Sequence, residues 1–216
     1  MIVEYAETEL IPKDTLKLYN VFIETFGNIE GGSLSQYERN IKNLLGSEYT
    51  YGEIEFLYFL PLLNYVSVGK EGGTFWDLGC GTGKVLIAAA LSDAGFRRIC
   101  GVEYLEGLYQ TSLKAIDLYW KIAKQAGLKS NKDKFNIVKG DMKIIDWSDA
   151  DVVYTSSICF PEELIQVLTD KGRCLKKGAR IITLMNWVDP NAYKILYYFK
   201  VRMTWGHNSV YVLERI

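Results

Sequence analysis

Asp77, Gly79, Gly81 and Gly83 stand in the order D-x-G-x-G-x-G inside FWDLGCGTGKV. Alternating glycines let a backbone turn tightly and come close to a ligand. The dinucleotide fingerprint differs in two respects: it runs G-x-G-x-x-G, and it usually carries an apolar residue where Asp77 sits. An acid beside the loop repels a pyrophosphate. It suits an ammonium group, as carried by the methionine half of S-adenosylmethionine. Glu103 ends the next strand-like run, RRICGVE, from which it would reach a ribose and accept from both hydroxyls. NAD enzymes also place an acid there, so Glu103 marks a ribose ligand without naming it. Asp141, in VKGDM, would accept from an adenine amino group while Met142 packs on the base. Lys84 is the one phosphate-binding cation near the loop, so three acids at successive strand ends favour adenosylmethionine. The alternative for Asp77 and Asp141 is that they cap helices or turns.

For these acids to meet, the chain must bring three strand ends together. TFWDL reads as a short buried strand, GCGTG as a tight loop and residues 84–91 as an apolar helix. RRICGVE is a second strand, followed by a long helix from 105 to about 125 with Gly127 as its C-cap. FNIVKGD and DVVYTSS read as strands, 161–175 as a helix with Pro161 in its first turn, and ARIITLM as a further strand. This alternation predicts a doubly wound parallel sheet, which binds ligands at the carboxyl ends of its strands. YYFKVRMTW and SVYVLERI, separated by Gly-His-Asn, predict an antiparallel hairpin closing one edge. Ahead of the sheet, Leu16, Val21, Ile23 and Phe26, and then Leu34, Tyr37, Ile41 and Leu45, recur at helical spacing. A third helical stretch, 54–66, precedes the turn-rich GKEGG.

The balance of 25 Lys plus Arg against 26 Asp plus Glu leaves no basic excess to coat nucleic acid, so weak or no direct nucleic-acid binding is expected. With 216 residues, 49% of them hydrophobic, the chain suits one α/β core with a small helical appendage. The acidic N-terminus shows neither a secretory nor a transit signal, and no apolar run approaches the roughly 18 residues that span a bilayer. A soluble intracellular protein with no membrane association is expected. Cys80, Cys100, Cys159 and Cys174, with the single His207, form no zinc pattern and no disulfide framework.

Taken in chain order from Tyr51 to Tyr211, the motifs resemble those of the non-SET histone lysine methyltransferases of the disruptor-of-telomeric-silencing type. YGE (Tyr51, Gly52, Glu53) is similar to that family's cofactor-covering loop, FWDLGCGTGKV to its glycine motif, GVE to its ribose strand and GDM to its adenine-side motif. VYTSSICFPEEL resembles its V-N-N-F-A-F-G-P-E-V segment, and RMTWGHNSVYV its closing hairpin. The resemblance implies a class I methyltransferase (Rossmann-like) fold: a mostly parallel seven-stranded sheet with helices on both faces, a C-terminal antiparallel hairpin and an N-terminal helical cap. The cap with the covering loop would occupy residues 1–70 and the core 71–216. It further implies that Tyr51, Glu53 and Ile54 cover the cofactor and that Asp77, Gly79, Gly81, Gly83, Lys84, Glu103, Asp141 and Met142 surround it. Phe160, Trp205 and Tyr211 would line a channel for the target lysine. Two departures stand out. Ser156 and Ser157 replace the family's paired asparagines, and nothing in the chain is similar to its Lys-rich DNA-gripping tract. Residues 121–134 carry five lysines and one acid, a pattern that usually marks a solvated helix end.

Methyl transfer from a sulfonium is an in-line displacement that needs alignment and a neutral amine more than acid–base help. A lysine, with a pKa of about 10.4, is mostly charged in water; an aromatic channel disfavours the ammonium by desolvation. Ser156 or a tyrosine hydroxyl would orient the nitrogen. Other classes stay open: a methyltransferase acting on a small molecule or non-histone protein, and a non-catalytic cofactor-binding module. The D/N-P-P-Y/F/W motif of nucleic-acid amino methylases is absent, TSSICF standing in its place. A histone or nucleosome substrate would put the protein in the nucleus, another substrate in the cytoplasm. His207 reads as an exposed turn residue and Cys80 as a small filler, since nothing nearby would lower its pKa.

Overall fold

Short runs rich in apolar residues become the strands of one sheet. The structure is a computed structural model describing residues 2–4, 13–66, 72–185 and 189–216. Its strands are β1 (Ile2–Glu4), β2 (Gly73–Leu78), β3 (Phe96–Glu103), β4 (Phe135–Lys139), β5 (Val152–Thr155), β6 (Arg180–Thr183), β7 (Tyr193–Met203) and β8 (Gly206–Arg215). They form one sheet in the order β1-β7-β8-β6-β5-β2-β3-β4. Pairing is parallel except on the two sides of β8, which runs antiparallel to both β6 and β7. The seven expected strands are joined by a short eighth, β1, lying parallel along the outer edge of β7. Every residue of β2 and of β5 is buried, as befits central parallel strands covered on both faces. The order reverses between β2 and β5, so their carboxyl ends open the crevice in which such sheets hold ligands.

The helices are α1 (Lys13–Phe26), α2 (Gly31–Lys42), α3 (Phe56–Leu62), α4 (Lys84–Leu91), α5 (Glu106–Gln125) and α6 (Glu162–Gly172). Val21, Phe22 and Phe26 of α1 and Phe56, Phe59 and Leu62 of α3 join one apolar cluster with Phe75 of β2 and Leu86 of α4. Leu16 and Ile23 of α1 lie outside that contact and are exposed. α3 is shorter than the spacing predicts and passes into a 3-10 turn, Leu63–Tyr65, after Pro61. The expected boundary at 70/71 and most of GKEGG fall in residues 67–71, outside the described residues.

Three expectations need correcting. The stripe Leu34, Tyr37, Ile41 and Leu45 faces solvent, with exposures of 38%, 69%, 65% and 84%. α2 instead turns Gly31 and Ser35 inward, because its polar face is the one that meets hydrogen-bonding groups of the site. The hairpin turn is made by Thr204 and Trp205, not by Gly-His-Asn. Gly206, His207 and Asn208 belong to β8 and pair with Met203, Arg202 and Val201. Pro161 occupies the N-cap of α6, one residue before its first turn.

Candidate cofactor and substrate site

The chain leaving β2 wraps tightly because Gly79, Gly81 and Gly83 all take positive φ, at 89°, 54° and 87°. The amides of Gly79 and Cys80 donate to the Val102 carbonyl at 2.9 and 3.0 Å, pinning the loop to β3. A cavity of about 430 Å³ opens beside it.

Asp77 and Glu103 approach this cavity from neighbouring strands and are both buried, Asp77 at 2% exposure. Burial, and then the charge of Glu103, push the Asp77 carboxyl well above its ordinary range. Its Oδ1 is buried without any hydrogen-bond partner. Burial likewise raises Glu103, opposed by backbone donors: Oε2 accepts from Gly81 N–H at 2.8 Å and Oε1 from Leu105 N–H at 2.8 Å. Glu103 therefore braces the glycine loop and the start of α5. On the third strand end, Asp141 and Met142 line the same cavity. Asp141 also folds its own turn, its Oδ1 accepting from Lys143 N–H at 2.8 Å. Turn formation thus accounts for one oxygen of Asp141, whose other oxygen pairs with Lys143 Nζ at 3.3 Å, and leaves Asp77 Oδ1 without a partner among the described residues.

The opposite wall comes from residues 48–54. The Tyr51 hydroxyl bonds Glu53 and, at 3.1 Å, Thr82 in the glycine loop, while Glu53 pairs with Lys84 of α4. The Tyr51 ring lies so close over Gly81 that a Cβ there would stand 2.9 Å from Cε2. Burial and the Glu53 charge push its phenol upward, so it acts as a neutral donor. The loop is also stitched to the hairpin: Thr204 N–H donates to the Glu53 carbonyl at 3.0 Å, and Ile54 bridges Met203. The Trp205 ring covers Gly52, where a Cβ would meet it at 2.2 Å.

At the end of β5, Ser156 lines the cavity beside Tyr154, which is buried next to Asp77. Ser157 turns away, its hydroxyl sharing a hydrogen bond of 2.8 Å with Thr183 and accepting from Met185 N–H at 3.2 Å. Phe160 lines the cavity mouth next to Pro161. Gly83, Trp205 and Tyr211 are not among the lining residues: Trp205 sits on the rim through Gly52, and Tyr211 packs on Tyr198 with ring centroids 5.2 Å apart. Tyr49 and Tyr104, whose rings lie 5.4 Å apart at the cavity, and Thr82 were not foreseen. Thr82 stands inside the glycine motif, yet no spacing rule distinguishes it. Cys80 is buried and its thiol pushed up by burial, as a filler would be.

The residues present fit S-adenosylmethionine. Two buried acids from neighbouring strands, Asp77 and Glu103, that line one cavity make it a place for a cation, and the ligand's ammonium and sulfonium are both cationic. Residues 30–202 match the family described as "Histone methylation protein DOT1". The chain belongs to the DOT1 histone methylation family. Among its relatives is a "Histone-lysine N-methyltransferase, H3 lysine-79 specific" of Dictyostelium discoideum, 31% identical over 147 residues, covering 64% of this chain and 8% of that protein. One of the same name from Aspergillus fumigatus is 30% identical over 172 residues, covering 76% of this chain and 31% of that protein. The DOT1-family chain thus spans under a third of the length of these relatives. In fold it is similar to an rRNA methyltransferase, aviRa from Streptomyces viridochromogenes, with a TM-score of 0.57, 13% identity and coverage of 76% of this chain and 86% of that one. Among the described residues, no helix of this DOT1-family member is long and apolar enough to cross a membrane.

Proposed function

We propose that this chain transfers the methyl group of S-adenosylmethionine to a lysine amine of a protein, and that a histone is that protein. The observation carrying this reading is one cavity that joins the buried Asp77 carboxyl to Ser156 and Phe160, with the covering loop stitched to the Trp205 hairpin at its rim. When bound, the cofactor supplies a methyl carbon activated by its sulfonium. Asp77 would accept from the amino-acid ammonium, Glu103 from the ribose hydroxyls, and Asp141 from the adenine amino group, with Met142 against the base. Tyr51, held by Glu53 and Thr82, would close the loop side and exclude water. Phe160, with Trp205 at the rim, would strip water from the incoming lysine and so favour its neutral amine. Ser156 would accept a hydrogen bond from that nitrogen, holding its lone pair toward the methyl carbon. The N–C bond forms as the C–S bond breaks, and the surplus proton leaves to solvent.

The relatives' names point to histone H3 as the protein, and a histone substrate would put the chain in the nucleus. The test is transfer of tritiated methyl from S-adenosylmethionine to reconstituted nucleosomes, free histones and a whole-cell lysate, with Gly81→Arg as blank. Label on nucleosomes or histones supports the proposal. Label on another lysate protein alone would keep the chemistry and replace the substrate; label nowhere would refute the activity.

A further inference from the structure

We infer that Glu38, on α2 and outside every motif named above, is a positioning residue for the cofactor cavity. The inference rests on the cavity being the S-adenosylmethionine site. α2 exposes an apolar stripe and turns a polar one inward, against the usual preference, and each inward residue touches a wall of the cavity. Gly31 lies against the Tyr51 hydroxyl, where a Cβ would come within 2.1 Å. Ser35 Oγ donates to the Tyr49 carbonyl at 3.3 Å. One turn on, Glu38 reaches the other wall: Oε1 accepts from Glu106 N–H at 2.8 Å and Oε2 from Gly107 N–H at 2.7 Å. α5 has no side-chain cap of its own, since Leu105 stands at its N-cap. Glu38, from 68 and 69 residues away, satisfies two of its free amides, and its side chain is only 12% exposed.

The next amide upstream, Leu105 N–H, is the one Glu103 accepts from. The backbone of residues 105–107 is therefore held by two carboxylates, Glu103 from the sheet and Glu38 from α2, with Tyr104, Leu105 and Leu108 lining the cavity between them. Glu38 thus sets where the Glu103 carboxylate and this wall stand, while touching no ligand. Its second role is to tie that wall, through one helix, to the covering loop at Tyr49 and Tyr51.

Glu38→Gln keeps the size and one acceptor oxygen but loses the charge and the second acceptor. The expected result is a rise of about 10-fold in the Kd of S-adenosylhomocysteine by calorimetry and in KM for S-adenosylmethionine, with kcat at saturating cofactor within about twofold of wild type. Gly107→Ala is the second variant. It favours the helical backbone, yet its Cβ would stand 3.2 Å from Glu38 Oε2, so the carboxylate must give way and its bonds to Glu106 and Gly107 must lengthen. Weaker S-adenosylhomocysteine binding in a protein whose Tm is unchanged or higher is a combination that a merely structural role would not give. Ile41→Gln, on the exposed face of the same helix, should bind as wild type does. Wild-type affinity in both Glu38→Gln and Gly107→Ala, measured well below their Tm, would overturn the inference. Wild-type protein that binds no S-adenosylhomocysteine would overturn the cofactor reading itself and the inference with it.

Discussion

At the scale of single residues, Asp77 governs how the site responds to pH. Its carboxyl is raised by burial and then by the charge of Glu103. A carboxyl raised in the fold contributes stability below its ordinary value, here 3.8, and that contribution is lost as pH climbs through the raised value. A cation beside it keeps the carboxylate ionised and reverses the loss. The Tm gained on adding S-adenosylhomocysteine should therefore grow as pH rises through that window, and Asp77→Asn should flatten the rise. Asp77→Asn should also weaken S-adenosylhomocysteine binding by about 30-fold, the loss of one charge-assisted hydrogen bond of about 2 kcal/mol, while the free protein melts no lower than wild type. Calorimetry and melting curves across pH check both. Asp77 was legible because an acid in a glycine loop contradicts a phosphate ligand. Ser157 was not, since nothing in TSSICF says which serine turns to the cavity and which bonds Thr183.

Among elements, the covering loop and the hairpin tip behave as one piece. Thr204 and Met203 fasten residues 53–54, and Trp205 lies on Gly52, so a side chain at 52 cannot coexist with the seated indole. Gly52→Val should unseat Trp205 and cut methyl transfer at least about 10-fold; Trp205→Ala should cut transfer while leaving S-adenosylhomocysteine affinity within about twofold. Parallel calorimetry and methyl-transfer assays separate the two. Strands β2 and β3 were legible because short apolar runs ending beside a glycine or an acid have few alternatives, and β5 because VVY is a β-branched and aromatic run. The facing of α2 was not. Residues 34, 37, 41 and 45 and residues 31, 35 and 38 both recur at helical spacing, and partners at Tyr49, Tyr51 and Glu106, the last 68 residues from Glu38, decide which stripe turns inward.

Over the whole molecule, the N-terminal helices and the sheet share one apolar cluster. Phe59 of α3, fully buried, packs edge-on to Tyr154 of β5 with centroids 5.0 Å apart, directly behind the cavity. Phe59→Ala should cost about 3–5 kcal/mol, and urea unfolding followed by fluorescence and by circular dichroism should trace a single coincident transition rather than one for the helices and one for the sheet. Two separated transitions would show that the helices fold independently. The strand β1 was not legible, because three residues carry no period and its register exists only against β7. Its consequence lies beyond this molecule's own stability. β7 is 11 residues long and carries three tyrosines, and β1 covers Tyr198, Phe199 and Lys200 on its outer side. Without β1, that stretch would present free amides and carbonyls to other chains, the template on which strands add in aggregation. A chain beginning at residue 13 should keep its S-adenosylhomocysteine affinity yet self-associate with rising concentration, visible as growing mass in light scattering. The first few residues would then serve colloidal solubility rather than catalysis.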